Sequence, residues 1–136
     1  MSALELSRGE TAYVSRDGQA LKAIEWACHR EDPEYRVVAK TQHLDCVVQT
    51  QWEGNADTVE IGFMYVTGIC WAGEWSTAWT YHWPCTDAEA KANHEEIVAL
   101  LRETCPELPT WQTRTEFQRR LRAPRRESAG RPYIRP

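Results

Sequence analysis

Four stretches of β texture follow one another between Glu34 and Pro84 with no helical stretch between them. Nothing else in the chain constrains its fold as strongly. Tyr35–Gln42 and Leu44–Trp52 are rich in β-branched and aromatic residues, and Glu53-Gly54-Asn55 supplies a turn. Thr58–Val66 alternates, with Val59, Ile61, Phe63 and Tyr65 on one face. Thr67-Gly68 or Ala72-Gly73 then breaks the chain, and Glu74–Trp83 runs up to Pro84, which ends it. Strands that come consecutively predict an antiparallel meander with helices on one face.

Helical patterns flank this run. A short strand is expected at Thr11–Ser15, then a helix from about Gln19 to Glu31, stopped by Pro33. At about 100° per residue, Leu21, Ile24, Ala27 and Cys28 share its core face. Trp26 falls on the opposite side, between Lys22 and Arg30. The second helix opens on Thr86 with Glu89 three residues later, a capping box. Ala90, Ile97, Leu100 and Leu101 form its apolar stripe, and Cys105-Pro106 closes it. His94 lies at the edge of that stripe, facing the sheet, where it is expected to hydrogen-bond a strand residue or a backbone carbonyl. Glu89, Glu96 and Glu103, seven apart, make an acidic ridge on the other side. Trp111–Arg122 carries a short helix with Phe117 and Leu121 four apart, and the remainder has no periodicity. The expected class is α+β: a small antiparallel sheet of about four strands, a helix before and after it, and a basic C-terminal tail. Residues 1–110 would be the domain and residues 111–136 the Arg/Pro-rich tail.

Charge divides along that boundary. The net charge of −4 conceals a tail with eight arginines and two glutamates, net +6. Residues 1–110 hold eight basic and eighteen acidic side chains, net −10. An acidic body with a basic tail offers two surfaces to different partners. The five cysteines are odd in number, and the N-terminal residues lack a basic stretch followed by an apolar one. Reduced thiols and a cytoplasmic location are expected, and the absence of a long apolar run argues against a membrane partner.

Catalytic signatures fail one by one. There is no Gly-rich phosphate loop, and His94-Glu95 begins like a metalloprotease helix but meets Val98 where the second histidine belongs. Cys28 and His29 are adjacent, so on a helix their side chains diverge by about 100°. One pattern suggests metal: His43-Leu-Asp-Cys46 and His82-Trp-Pro-Cys85 would together form a His2Cys2 zinc site, provided each pair sits at a bend. Otherwise no cofactor is expected.

The aromatics and arginines suggest contact surfaces instead. Trp75, Trp79 and Trp83 share strand parity and are expected on one face, as core or as a stacking platform for a ligand. Trp26, flanked by Lys22 and Arg30, is a candidate interface anchor. The ridge Glu89, Glu96 and Glu103 would face a basic cleft. Arg119, Arg120, Arg122, Arg125 and Arg126 would grip phosphates or carboxylates. The function expected is a non-enzymatic binding module, an inhibitor or adaptor acting on a protein or a protein–nucleic-acid complex, with nucleic acid contacted through the Arg-rich tail. The alternative is a small-ligand-binding or zinc-containing domain built on the Trp-rich sheet.

Overall fold

The structure, a computed structural model, describes residues 13–56, 62–82, 84–123 and 131–132. It is a mixed α and β fold. A small hairpin comes first: β1 (Tyr13–Val14) pairs with β2 (Ala20–Leu21) around Gly18, whose φ of +87° is the left-handed conformation that glycine tolerates. β1 is stitched to the end of the main sheet, Val14 N donating to Gly54 O and Trp52 Nε1 to Val14 O.

Taking Ala20–Leu21 into a strand shortens the expected first helix to α1 (Ala23–Arg30). Its core face is also reversed. Ile24 is 71% exposed and Cys28 is exposed, whereas Trp26 packs on the core. Trp26 stacks on Tyr13 with ring centres 4.4 Å apart, lies under the Arg30 guanidinium, and donates from Nε1 to Glu53 O at 2.8 Å. An indole carries more apolar surface than a sec-butyl group and satisfies its N–H here, so it wins the inward position. Pro33 then starts a one-turn helix, α2 (Pro33–Arg36), capped by Asp32.

Four strands follow in sequence and in space: β3 (Val37–His43), β4 (Cys46–Trp52), β5 (Tyr65–Trp71) and β6 (Glu74–Tyr81), all antiparallel. A two-residue strand, β7 (Arg131–Pro132), pairs with the outer edge of β6. Part of the third expected strand, residues 58–61, lies outside the described residues; β5 begins at Tyr65 and runs straight through Thr67-Gly68. The chain turns at Ala72-Gly73, both with positive φ. Cys46, Val48, Thr50 and Trp52 of β4 and Tyr65, Thr67, Ile69 and Trp71 of β5 line one buried face.

Two helices cover that face. α3 (Asp87–Thr104) opens on the expected capping box, Glu89 N donating to Thr86 Oγ1 and Thr86 N to Glu89 Oε1. It buries Ala90, Ile97, Val98 and Leu101 and packs across β3 and β4. α4 (Trp111–Arg122) packs against α3 and adds Phe117 and Leu121 to the same core. Residues 111–122 are therefore part of the packed body, not of a trailing tail. The other face of the sheet carries no helix among the described residues.

Candidate functional site

The four residues matched to zinc stand apart. His43 and Cys46 face each other across the β3–β4 hairpin, while His82 and Cys85 follow β6. The end of β6 registers through Tyr65 with Trp52, the far end of β4, so the two pairs are about 20 Å apart along the strands. Each histidine instead donates to a backbone carbonyl, His43 Nε2 to Cys105 O and His82 Nδ1 to Gly62 O. Among the described residues, no group of three His, Cys, Asp or Glu side chains is placed to hold a metal ion.

The aromatic face also divides. Trp79 is 3% exposed beneath the helices, and Trp75 is 55% exposed on the open face. Register explains this: Trp75 opposes Cys70 and Trp79 opposes Thr67, with an irregularity at Thr67/Gly68 that puts one extra residue into β6. A bulge inverts strand parity beyond it. Trp83 lies outside the described residues.

His94 meets its expectation. It is fully buried, with Nε2 2.9 Å from Thr41 Oγ1 and Nδ1 2.8 Å from Thr50 Oγ1. Thr50 continues to Thr67 (2.6 Å), Thr67 to the Tyr81 hydroxyl (3.1 Å), and Asn93 Nδ2 donates to that hydroxyl at 2.8 Å. Burial pushes the His94 pKa down. This chain of polar groups runs inside the helix–sheet interface and ties α3 to four strands.

A second polar cluster, with no motif in the sequence to announce it, joins the β1–β2 turn to the start of α3. Arg16 Nε and Nη2 both donate to Asp87 Oδ2, at 2.9 and 2.6 Å, and Nη1 donates to Tyr35 O. The Tyr65 hydroxyl donates to Asp87 Oδ1, and burial first, then this carboxylate, push its pKa up. A cleft of about 580 Å³ beside it is lined by Ser15, Asp17, His29 and Tyr35. His29 is stacked on Tyr35, ring centres 4.0 Å apart, and Arg16 has its guanidinium nitrogens committed, so the cluster clamps two elements together.

Exposed groups concentrate elsewhere. The β3–β4 hairpin, the loop after α3 and the first turn of α4 meet at one end of the sheet, where His43 bonds Cys105 O and the Arg114 guanidinium lies 4.6 Å from the centre of the Trp71 ring. There Leu108 is 65% exposed, Trp111 is 79% exposed, and Leu44 stands out of the hairpin turn at φ +56°. Composition did not single these out, because an α4 read as tail gave Trp111 no surface to belong to.

Glu89, Glu96 and Glu103 are all exposed along the outer side of α3, as expected. Glu103 bonds Arg120 at 3.0 Å, and Arg119 bonds Glu116, whose pKa is lowered by that contact. Arg122 and Lys22 are exposed, and Arg30 is bound to Glu53. Arg125 and Arg126 lie outside the described residues. Among the described residues no helix is long and apolar enough to cross a membrane. No protein-family model matches the chain, and no curated protein or solved structure shows significant similarity to it.

Proposed function

We propose that the protein is a non-enzymatic binding module that docks onto a partner protein through the end of its sheet. One observation carries this: Trp111, the most exposed large apolar side chain of the described residues, stands with Leu108 and Leu44 at one end of the sheet, while the other two exposed large apolar side chains, Ile24 and Trp75, stand singly. Tryptophan leads the residues that dominate protein interfaces, and an indole left in water is a standing cost that a partner would remove. Reactive groups are occupied elsewhere. His94 is sealed between threonines, His43 and His82 donate to carbonyls, and burial pushes the Cys46 and Cys85 thiols up to about 12, far from the thiolate that nucleophilic chemistry uses.

Charge gives the partner its character. The outer side of α3 presents Glu89, Glu95, Glu96 and Glu103 along a helix about 27 Å long, and the N-terminal 110 residues sum to −10. A partner with a basic surface is favoured, including one whose own ligand is a nucleic acid. The arginines that end the chain add an opposite charge for an acidic or phosphate-bearing element of the same assembly. The test compares the wild-type chain with Trp111→Ala and Leu108→Ala as baits in the native host, read by mass spectrometry before and after nuclease treatment. A specific partner that binds wild type and is lost or weakened about thirtyfold by Trp111→Ala, with unchanged melting, is the expected result. An identical set of partners for all three baits would overturn the reading.

A further inference from the structure

The face of the sheet turned away from the helices holds a groove of about 440 Å³, well inside the size range of small-molecule sites. Its floor and walls include Gln49, Gln51, Gly68, Trp75, Ser76 and Thr77, and among the described residues none of its lining side chains is charged. From these residues we propose that the groove binds an uncharged sugar, one pyranose ring stacked on the Trp75 indole. The site is independent of the protein-docking end.

Three features of the sheet build the groove. The bulge in β6 turns Trp75 onto the open face while Trp79 remains in the core. Bulges recur where a side chain is re-aimed for function. Next, the Trp75 ring lies down over Gly68: a Cβ on Gly68 would stand 3.3 Å from Trp75 Cε3 and 3.5 Å from Ser76 O. A Cβ there would push the ring outward by a few tenths of an ångström, so the glycine lets it lie low and its outer surface forms a shelf. The third feature is an oriented row of amides. Gln49 Nε2 donates to Gln51 Oε1 at 3.2 Å, and Gln51 Nε2 donates to Glu53 Oε1 at 2.8 Å. Glu53 is itself held by Arg36 and Arg30. The row leaves Gln49 with a free Oε1 acceptor and a second N–H donor beside the indole, and Thr77 adds a hydroxyl.

Chemistry selects among ligands. A sugar ring presents axial C–H groups to an aromatic face and a rim of hydroxyls that both donate and accept, which an amide with one donor and one acceptor answers. A phosphate or carboxylate needs arginine or lysine. The nearest cation in register among the described residues is Lys40, opposite Gln49, a single charge in a chain whose first 110 residues sum to −10. A nucleic acid strand would bring one negative charge per nucleotide to that surface. A cationic ligand would need a carboxylate, and the nearby one on Glu53 already faces two guanidinium groups.

The test is a titration of the ¹⁵N-labelled full chain with cellobiose, lactose and N,N′-diacetylchitobiose, with the dinucleotide d(TT) as the nucleobase arm, followed by a pyranoside glycan array. We expect at least one saccharide to shift the Trp75 indole N–H and the Gln49 and Gln51 side-chain amides saturably. Trp75→Ala should weaken that binding about tenfold or more. Gln49→Ala, a change on the surface of β4, should weaken it as well and stands in if Trp75→Ala fails to fold. Gly68→Ala should lift the ring and reduce affinity with the fold retained. The proposal is overturned by any of three results: no saccharide on the array binds, the shifts fall away from Trp75, or d(TT) alone binds.

Discussion

Trp75 and Trp79 stand four residues apart on β6 yet lie on opposite faces of the sheet. The first opposes Cys70 and the second Thr67, so four steps along β6 match three along β5. Parity along a strand holds only while the register is unbroken, and the extra residue hands one indole to the core and the other to the open face. Trp79→Ala should therefore empty a packed site and cost about 3–5 kcal/mol of stability. Trp75→Ala should stay within about 1 kcal/mol of wild type. Urea denaturation of the two variants measures the difference; equal losses would mean both indoles are core.

The His94 chain makes a pH prediction. Burial lowers the His94 pKa, outweighing the upward pull of Glu95, so the imidazole is neutral between its two threonines in the folded state. The unfolded chain takes up the proton first, near the ordinary value of about 6.5. Stability from this group is therefore complete above that pH and falls as the pH drops from there toward the folded value. Melting temperatures between pH 8 and 5 should decline on the acid side. His94→Gln, which keeps an amide in place of the imidazole, should flatten that limb while lowering stability at pH 8.

The meander, the α3 capping box and the buried pair Phe117 and Leu121 are legible in residue order because each depends on local chemistry: consecutive β-branched runs, Thr86 with Glu89, and a four-residue spacing. What escapes is set by non-local competition. α1 is eight residues long, and a wheel over so few residues is decided by whichever side chain finds a partner, here Trp26 with Tyr13 and Glu53. The bulge that separates Trp75 from Trp79 is a mismatch between two strands and has no signature in either. His-x-x-Cys spacing twice over suggested zinc, but whether the two pairs meet depends on which ends of the sheet they occupy.

Trp26 supplies a direct check of the reversed α1 face. It is half-buried, stacked, and bonded to Glu53 O. Trp26→Ala should cost about 2–4 kcal/mol, since it removes packing and leaves a carbonyl at the end of β4 without its donor. Trp26→Phe should recover part of that loss. A Trp26→Ala variant that melts like wild type would return the indole to the surface and make it a docking residue again.

Thiol chemistry separates the cysteines. Cys28 is exposed on α1, while Cys46, Cys70, Cys85 and Cys105 are buried. Cys46 and Cys85 are further disarmed by burial, which pushes both thiols up to about 12. A chromogenic disulfide reagent at pH 8 should titrate one thiol rapidly in the native protein and the other four only on denaturation, and Cys28→Ser should abolish the rapid phase. Rapid reaction of a second thiol would show that one of the buried positions opens.

Leu44 links stability to the proposed docking end. Its φ of +56° puts a branched aliphatic residue in left-handed backbone, at about 1–2 kcal/mol above glycine, and its side chain is exposed, with little burial to offset that cost. Glycine gives back part of the gain through a freer unfolded chain, about 0.5–1 kcal/mol. Leu44→Gly should therefore stabilise the protein by about 0.5–1 kcal/mol, visible as a raised urea midpoint. A strained leucine on a turn at the same end of the sheet as Trp111 and Leu108 makes sense if the side chain is used for contact. The same variant should then bind the partner captured by the wild-type chain more weakly, in spite of its higher stability. A variant both more stable and equally tight would remove Leu44 from the interface and leave Trp111 and Leu108 to carry it, and a destabilised variant would show that the leucine packs on the hairpin after all.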